Sequence, residues 1–155
     1  MSNEILPTNK LPRSWDELSA LMEHIPDTMA RYHRFGFQNN FYFDEYSSHV
    51  PKQVVLDKRK SQFVNSKSFV PNNFPYNRLL VHLPFVKHFI LWSDTQLTTN
   101  EIQAYLSQVL GSIDFRFYEN KPDQKSIPEI FHVQVFVNFD TSDTMLEFMD
   151  THYPN

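Results

Sequence analysis

Cysteine is missing altogether from this chain of 155 residues. Its absence removes thiol nucleophiles, thiolate metal sites and disulfides together. Glycine is nearly missing too: Gly36 and Gly111 are the whole supply, where a globular chain usually has ~7%. Neither a G-x-G-x-x-G turn nor a P-loop can be written from two glycines, so phosphate cradles of glycine-rich backbone are excluded. There is no surplus of positive charge. Fourteen Lys and Arg stand against eighteen Asp and Glu, a net charge of −4, so no overall field draws the chain onto nucleic acid or anionic lipid. Long apolar runs are lacking as well. The most apolar stretch, Leu79 to Trp92, is broken by His82, Pro84, Lys87 and His88, and a spanning helix needs about 20 nearly uninterrupted apolar residues. The opening Met1-Ser2-Asn3-Glu4 has no basic segment followed by an apolar one, so no secretory leader is expected. A cytoplasmic or nuclear location is the expectation that agrees with these absences.

What the chain does have is hydrocarbon and aromatic area. Hydrophobic residues make up 41%, with fifteen Phe and seven Tyr, enough for one sizeable core in one domain. Residues 1–13, with Pro7 and Pro12, read as a flexible lead-in, and 14–155 as a single domain. Ser14-Trp15-Asp16-Glu17 has the form of a capping box. Trp15, Leu18, Leu21 and Met22 follow at helical spacing, and Pro26 ends that helix. Asp27 can cap a second short helix that Gly36 would stop. The bulky segment from Phe37 to Tyr46 could be a strand, a packed loop or a docking surface. The Lys-rich segment 52–67, with Lys58-Arg59-Lys60, reads as a solvated loop.

The pattern sharpens after residue 71. Leu79–Leu83 and Lys87–Trp92 read as strands. Thr98-Thr99-Asn100-Glu101 is a second capping box, opening a helix with Ile102, Tyr105, Leu106, Val109 and Leu110 on one face. Asp114–Tyr118 reads as a strand. Ile130–Phe139 alternates most clearly: Phe131, Val133, Val135, Val137 and Phe139 fall on one wholly apolar face, Ile130, His132, Gln134, Phe136 and Asn138 on the other. A last helix should follow Asp140. Hairpin-like spacings favour an α+β fold, an antiparallel sheet with helices packed mainly on one face and an N-terminal helical segment. The apolar face of the last strand should lie under the Thr98-capped helix. Its mixed face should be partly open or line a pocket.

Chemistry is therefore sought on that mixed face. His132 and Gln134, two residues apart, project the same way, and an imidazole and a carboxamide on one rigid strand can grip a phosphate or act as nucleophile and helper. A half-buried structural histidine is the plain alternative. His88 shares a face with Ile90 and Trp92, so two imidazoles would meet over one patch if the two strands were neighbours. A zinc site from His82, His88 and His132 matches no ligand spacing, so no metal is expected. Ser126 could bond a ligand or cap a turn, and Tyr76 or Trp92 could stack on a base or sugar. No G-x-S-x-G elbow surrounds any serine.

Asn72-Asn73-Phe74-Pro75-Tyr76, Lys87-His88-Phe89-Ile90-Leu91-Trp92, Phe117-Tyr118-Glu119-Asn120, Ser126-Ile127 and His132-Val133-Gln134-Val135 resemble, in order and spacing, elements of the fungal N-acetylglucosamine-induced protein family, a domain of unknown function. Ser14-Trp15-Asp16-Glu17-Leu18 is similar to that family's opening. Asn73, Phe74 and Gln134 stand where the family pattern has Asp, Trp and a second His. The resemblance implies a cytosolic or nuclear protein of the amino-sugar response that binds a small ligand, an amino sugar or nucleotide sugar, with Asn73, Tyr76, His88, Trp92, Ser126 and Gln134 around it. More distantly, His132-x-Gln134 resembles the H-x-H-x-Q strand of the galactose-1-phosphate uridylyltransferase branch of the histidine-triad superfamily, with Ile130 in place of the first His. That likeness implies His132 as the nucleophile of a nucleotidyl transfer. The readings carried forward are a ligand-binding response protein, a histidine-triad-like enzyme and a protein-interaction module. None of them calls for a cofactor, and the oligomeric state stays open.

Overall fold

A computed structural model describes residues 8–24, 52–72, 79–119 and 129–154. A 3₁₀ turn at Thr8–Lys10 leads to helix α1 (Trp15–His24). Next come α2 (Lys52–Ser61), β1 (Lys67–Pro71), β2 (Val86–Ser93), α3 (Thr99–Leu110), β3 (Asp114–Tyr118), β4 (Phe131–Asn138) and α4 (Ser142–His152). The four strands form one antiparallel sheet in the order β1-β2-β4-β3. The fold is α+β, as the spacing suggests. The second helix expected after Asp27 lies outside the described residues.

The helix starts follow their sequence signals. Thr98 accepts from the Glu101 backbone N–H at 3.1 Å while Glu101 accepts from the Thr98 N–H at 2.9 Å, a complete capping box. Ser14 accepts from the Glu17 N–H, but Glu17 reaches one residue further back, to the Arg13 N–H at 3.0 Å. Gly111 closes α3 at φ +62°, a conformation that costs glycine nothing.

Strict alternation on β4 splits the sheet into two unlike faces. On one, Val133, Val135 and Val137 join Phe69, Phe89 and Leu91 under Ile102, Leu106 and Leu110 of α3 and Phe148 of α4. This is the main core, and it lies under the Thr98-capped helix. On the other face, α1 brings Leu18 and Met22 onto Val86, Tyr118 and Phe136. Further along the same face, Leu56 of α2 meets Ile90, Trp92 and Ile130.

Two readings of the sequence need correction. Leu79–Leu83 is a pair of turns, with the Leu83 N–H donating to Leu80 and the Val86 N–H to Leu83. Its leucines fill the α1 core from those turns, and Pro84 prevents a continuous strand. The Lys-rich segment 52–67, read as a solvated loop, is helix α2 over Lys52–Ser61, then a turn that leads into β1 at Lys67. Among the described side chains of α2, Leu56 anchors the face turned to the sheet, and β1 is a short edge strand. Leu11, in the segment read as a lead-in, is buried.

Both sheet edges are partly occupied. On β3, the Phe115 N–H donates to Asp114 Oδ1 and the Phe115 carbonyl accepts from Arg116, whose guanidinium also pairs with Asp114 at 2.8 Å. On β1, Lys67 is bonded both ways to Val64, the Phe69 carbonyl accepts from the Tyr153 hydroxyl, and Pro71 has no N–H. Side chains and proline thus take up groups that a foreign strand would need.

Candidate functional site

Register places the mixed face residue by residue. His88 lies opposite Phe136, Ile90 opposite Gln134, and Trp92 opposite His132. Ser68 and Val70 extend these rows onto β1, Arg116 and Tyr118 onto β3. The sheet's middle therefore carries His88, Gln134 and His132 side by side with aromatic rings. All three are sealed, at 2%, 4% and 3% exposure. The expectation of a partly open face is not met: the face is covered at both ends by the α1 and α2 clusters.

The polar groups sort into two neighbourhoods. In the first, His88 Nε2–H donates to Gln134 Oε1 at 2.6 Å, and Asn72 Nδ2–H donates to the same oxygen at 3.1 Å. Gln134 is thus a double acceptor. Asn72 stands one residue beyond β1, and its backbone N–H continues the ladder to His88 O at 3.0 Å. The His88 ring stacks on Phe136 with centroids 4.5 Å apart. Burial pulls the His88 imidazole down to about 3, against a smaller upward pull from the Gln134 hydrogen bond. The ring is neutral at physiological pH, because desolvation penalises the cation.

In the second neighbourhood, His132 Nδ1–H donates to the Ile130 carbonyl, two residues back on its own chain, at 2.9 Å. A carbonyl only accepts, so in the neutral ring Nε2 keeps the lone pair. The His132 ring lies 4.6 Å from the Trp92 ring. On that same indole sits the Arg59 guanidinium, 5.5 Å from the ring centroid.

His88 and His132 share a face, as expected, but not a patch. His132 is four residues along β4 from Phe136, the partner of His88, or roughly 13 Å at about 3.3 Å per residue. Antiparallel register sets this separation, which one strand's periodicity does not reveal. Gln134 meets His88; Trp92 meets His132. Ser126, Asn73 and Tyr76 lie outside the described residues. No group of three or more His, Asp or Glu able to hold a metal occurs among the described residues. No helix among them is long and apolar enough to cross a membrane.

Two contributors are not evident from sequence. Asn72 continues the period-two count Ser68, Val70, Asn72, but only once β1 is known to be a strand. Arg59 follows Leu56 by three residues, hence on the same helix face, yet it sits inside a run of charges that reads as solvated.

No family model matches the chain, and no curated protein matches it in sequence. Its architecture is similar to that of HTC1. The HTC1 crystal structure aligns with a TM-score of 0.61 over 88% of this chain and 93% of its own, at 20% identity. At that identity the likeness is one of fold.

Proposed function

We propose that this protein binds a small ligand on the mixed face of its sheet, across the two polar neighbourhoods formed by His88 with Gln134 and by His132 with Trp92. The ligand class is an amino sugar or nucleotide sugar, and the setting is a cytoplasmic or nuclear response to amino sugars, following the resemblance of the motif residues. The observation that carries the reading is a row of two imidazoles and a carboxamide buried mid-sheet. Packing alone does not call for them. The opposite face makes its core from hydrocarbon with Ser93 as a buried polar exception at its end, and apolar residues of like shape are generally neutral or stabilising where a polar network is removed whole. Hydrogen-bonding groups kept on a rigid strand between two apolar clusters suit a polar ligand with a carbon skeleton. Partly occupied sheet edges disfavour docking of a partner by strand addition.

The test is a thermal-shift panel of amino sugars, their phosphates, nucleotides and nucleotide sugars. A true ligand at 100 times its Kd stabilises by ~2.7 kcal/mol, which raises Tm by roughly 5–10 °C for a chain of this size. The Gln134→Leu and His132→Asn variants should lose that shift. No shift with any compound, or one undiminished in both variants, defeats the reading.

One observation favours a second, enzymatic reading: the Nδ1–H bond to Ile130 sets the lone pair of the neutral His132 ring on Nε2. In a nucleotidyl transfer, Nε2 would attack the α-phosphorus of a nucleoside-diphosphate sugar. The new N–P bond forms as the bridging P–O bond breaks, and the sugar phosphate leaves with the electron pair. Water or a second sugar phosphate then takes the nucleotidyl group from nitrogen. Intact-mass analysis after incubation with such a substrate should show one acid-labile nucleotidyl adduct, absent from His132→Asn.

A further inference from the structure

The run Lys58-Arg59-Lys60 leads directly into a serine, and no other Ser or Thr of the chain follows three basic residues. That serine, Ser61, is the last residue of α2. Lys58, Lys60 and Ser61 are all exposed. Arg59 between them is 5% exposed, its guanidinium 5.5 Å from the centre of the Trp92 ring. The Ser61 hydroxyl donates to the Lys58 carbonyl at 2.7 Å. The helix then unwinds through two short-range bonds, Gln62 N–H to Arg59 O and Phe63 N–H to Lys60 O, both 3.2 Å. Past them Gln62, Val64, Asn65 and Ser66 are exposed as well. An acceptor hydroxyl thus stands at an open helix end, three residues after one exposed lysine and one after another.

We propose that Ser61 is a phosphorylation site: a serine kinase with an acidic substrate groove reads Lys58 and Lys60, and the phosphate loosens the last turn of α2, which holds Arg59 on Trp92. This goes beyond the ligand reading and does not depend on it. Helix ends fray before helix centres do, so the segment around Ser61 reaches an extended, enzyme-bound form without opening the main core. In the transfer, Ser61 Oγ bonds to the γ-phosphorus of ATP as the bridging P–O bond breaks. ADP leaves with the electron pair, and the hydroxyl proton passes to the kinase's catalytic carboxylate. The consequence follows from position. A helix C-terminus carries partial negative charge, and a phosphoserine there adds close to two more. The modification also removes the hydroxyl proton that Ser61 donates to the Lys58 carbonyl. Lys58, one turn back, offers a single solvent-screened pair in return, which is the weaker effect. Arg59 lies in that same turn, so the disturbance reaches Trp92.

The experiment incubates the full chain with Mg·ATP and the catalytic subunit of cAMP-dependent protein kinase, a basic-directed enzyme. Intact mass and peptide mapping should show one phosphoryl group, on Ser61, and none there in Ser61→Ala. The double variant Lys58→Ala/Lys60→Ala should lower kcat/KM for Ser61 by roughly tenfold, about threefold for each exposed ion pair lost to the kinase. Circular dichroism confirms that each variant is folded, and Lys58→Gln/Lys60→Gln serves if the alanine pair is not. The phosphorylated chain should exchange amide hydrogens faster over residues 58–63, with α3 unchanged. In a chain carrying Trp15→Phe, where Trp92 is the only indole, Trp92 emission should shift on phosphorylation, and Ser61→Ala treated alike should show no shift. Absence of phosphate from Ser61, or equal rates in the wild-type and lysine-free chains, overturns the site. Phosphate on Ser61 with exchange and Trp92 emission both unaltered overturns the coupling to α2.

Discussion

His88 meets Gln134 on the diagonal of the β2–β4 ladder, not straight across it, and the 2.6 Å contact joins two strands inside a sealed layer. Such a ring has no room for a second proton. An unfolded histidine titrates at 6.5, whereas burial holds this one near 3. Below pH 6.5 the unfolded chain therefore takes up a proton that the folded chain refuses. Stability is intact above that point and falls by about 1.4 kcal/mol for each pH unit below it, until the folded group titrates. Urea melts at pH 7 and pH 5 should show roughly 2 kcal/mol more loss in the wild-type chain than in His88→Gln, which keeps a donor but cannot titrate. Parallel losses in the two proteins would show that another group governs acid sensitivity.

The same contact should be non-additive. Gln134→Leu removes the acceptor that the His88 N–H and the Asn72 amide share, costing about 1–3 kcal/mol. His88→Leu leaves Gln134 with Asn72 alone. Because both changes break the same His88–Gln134 hydrogen bond, the double variant should lose clearly less than the sum of the singles. A coupling of at least roughly 0.5 kcal/mol in a denaturant double-mutant cycle is the expected readout.

His132 offers a different contrast. Its ring is buried against Trp92 and bonded to Ile130. His132→Ala should cost on the order of 2 kcal/mol through the cavity it leaves. Ligand readouts are therefore better made with His132→Asn. A calorimetric Tm for His132→Ala within a degree of wild type would contradict the packing described above.

At the β3 edge, Asp114 and Arg116 occupy both backbone groups of Phe115. The Asp114 carboxyl lies below the ordinary carboxylate range. Partial burial raises it, but hydrogen bonds from Trp15 and Arg116 outweigh that, so the guard stays charged at neutral pH. Replacing both residues with alanine should increase concentration-dependent self-association relative to the unaltered chain. Sedimentation velocity across a concentration series measures this, and unchanged coefficients would remove the edge role.

Residues that carry their own signal were legible. Thr98 and Glu101 announce α3, and alternating valines announce β4 together with the face it buries. Asp114–Tyr118 and the helix after Asp140 follow from the same periodicities. What could not be read was lateral. Nothing in the sequence near His88 says that Gln134, not His132, will be its neighbour, because that depends on register between strands 46 residues apart. Nor does a Lys-Arg-Lys run say that its middle member turns inward. Arg can bury its stem and stack its head while remaining charged, so composition and location part company at Arg59. β1 escaped notice because five residues with one proline give too little alternation to count.

The Tyr153 hydroxyl caps the Phe69 carbonyl across 84 positions of sequence, and β4 must be present before β2 and β3 have a common neighbour. On the ribosome, then, a nascent chain halted before Phe131 lacks the strand that joins the β1–β2 pair to β3 and the tyrosine that caps β1. Chaperone engagement should therefore persist until β4 and helix α4 have cleared the exit tunnel.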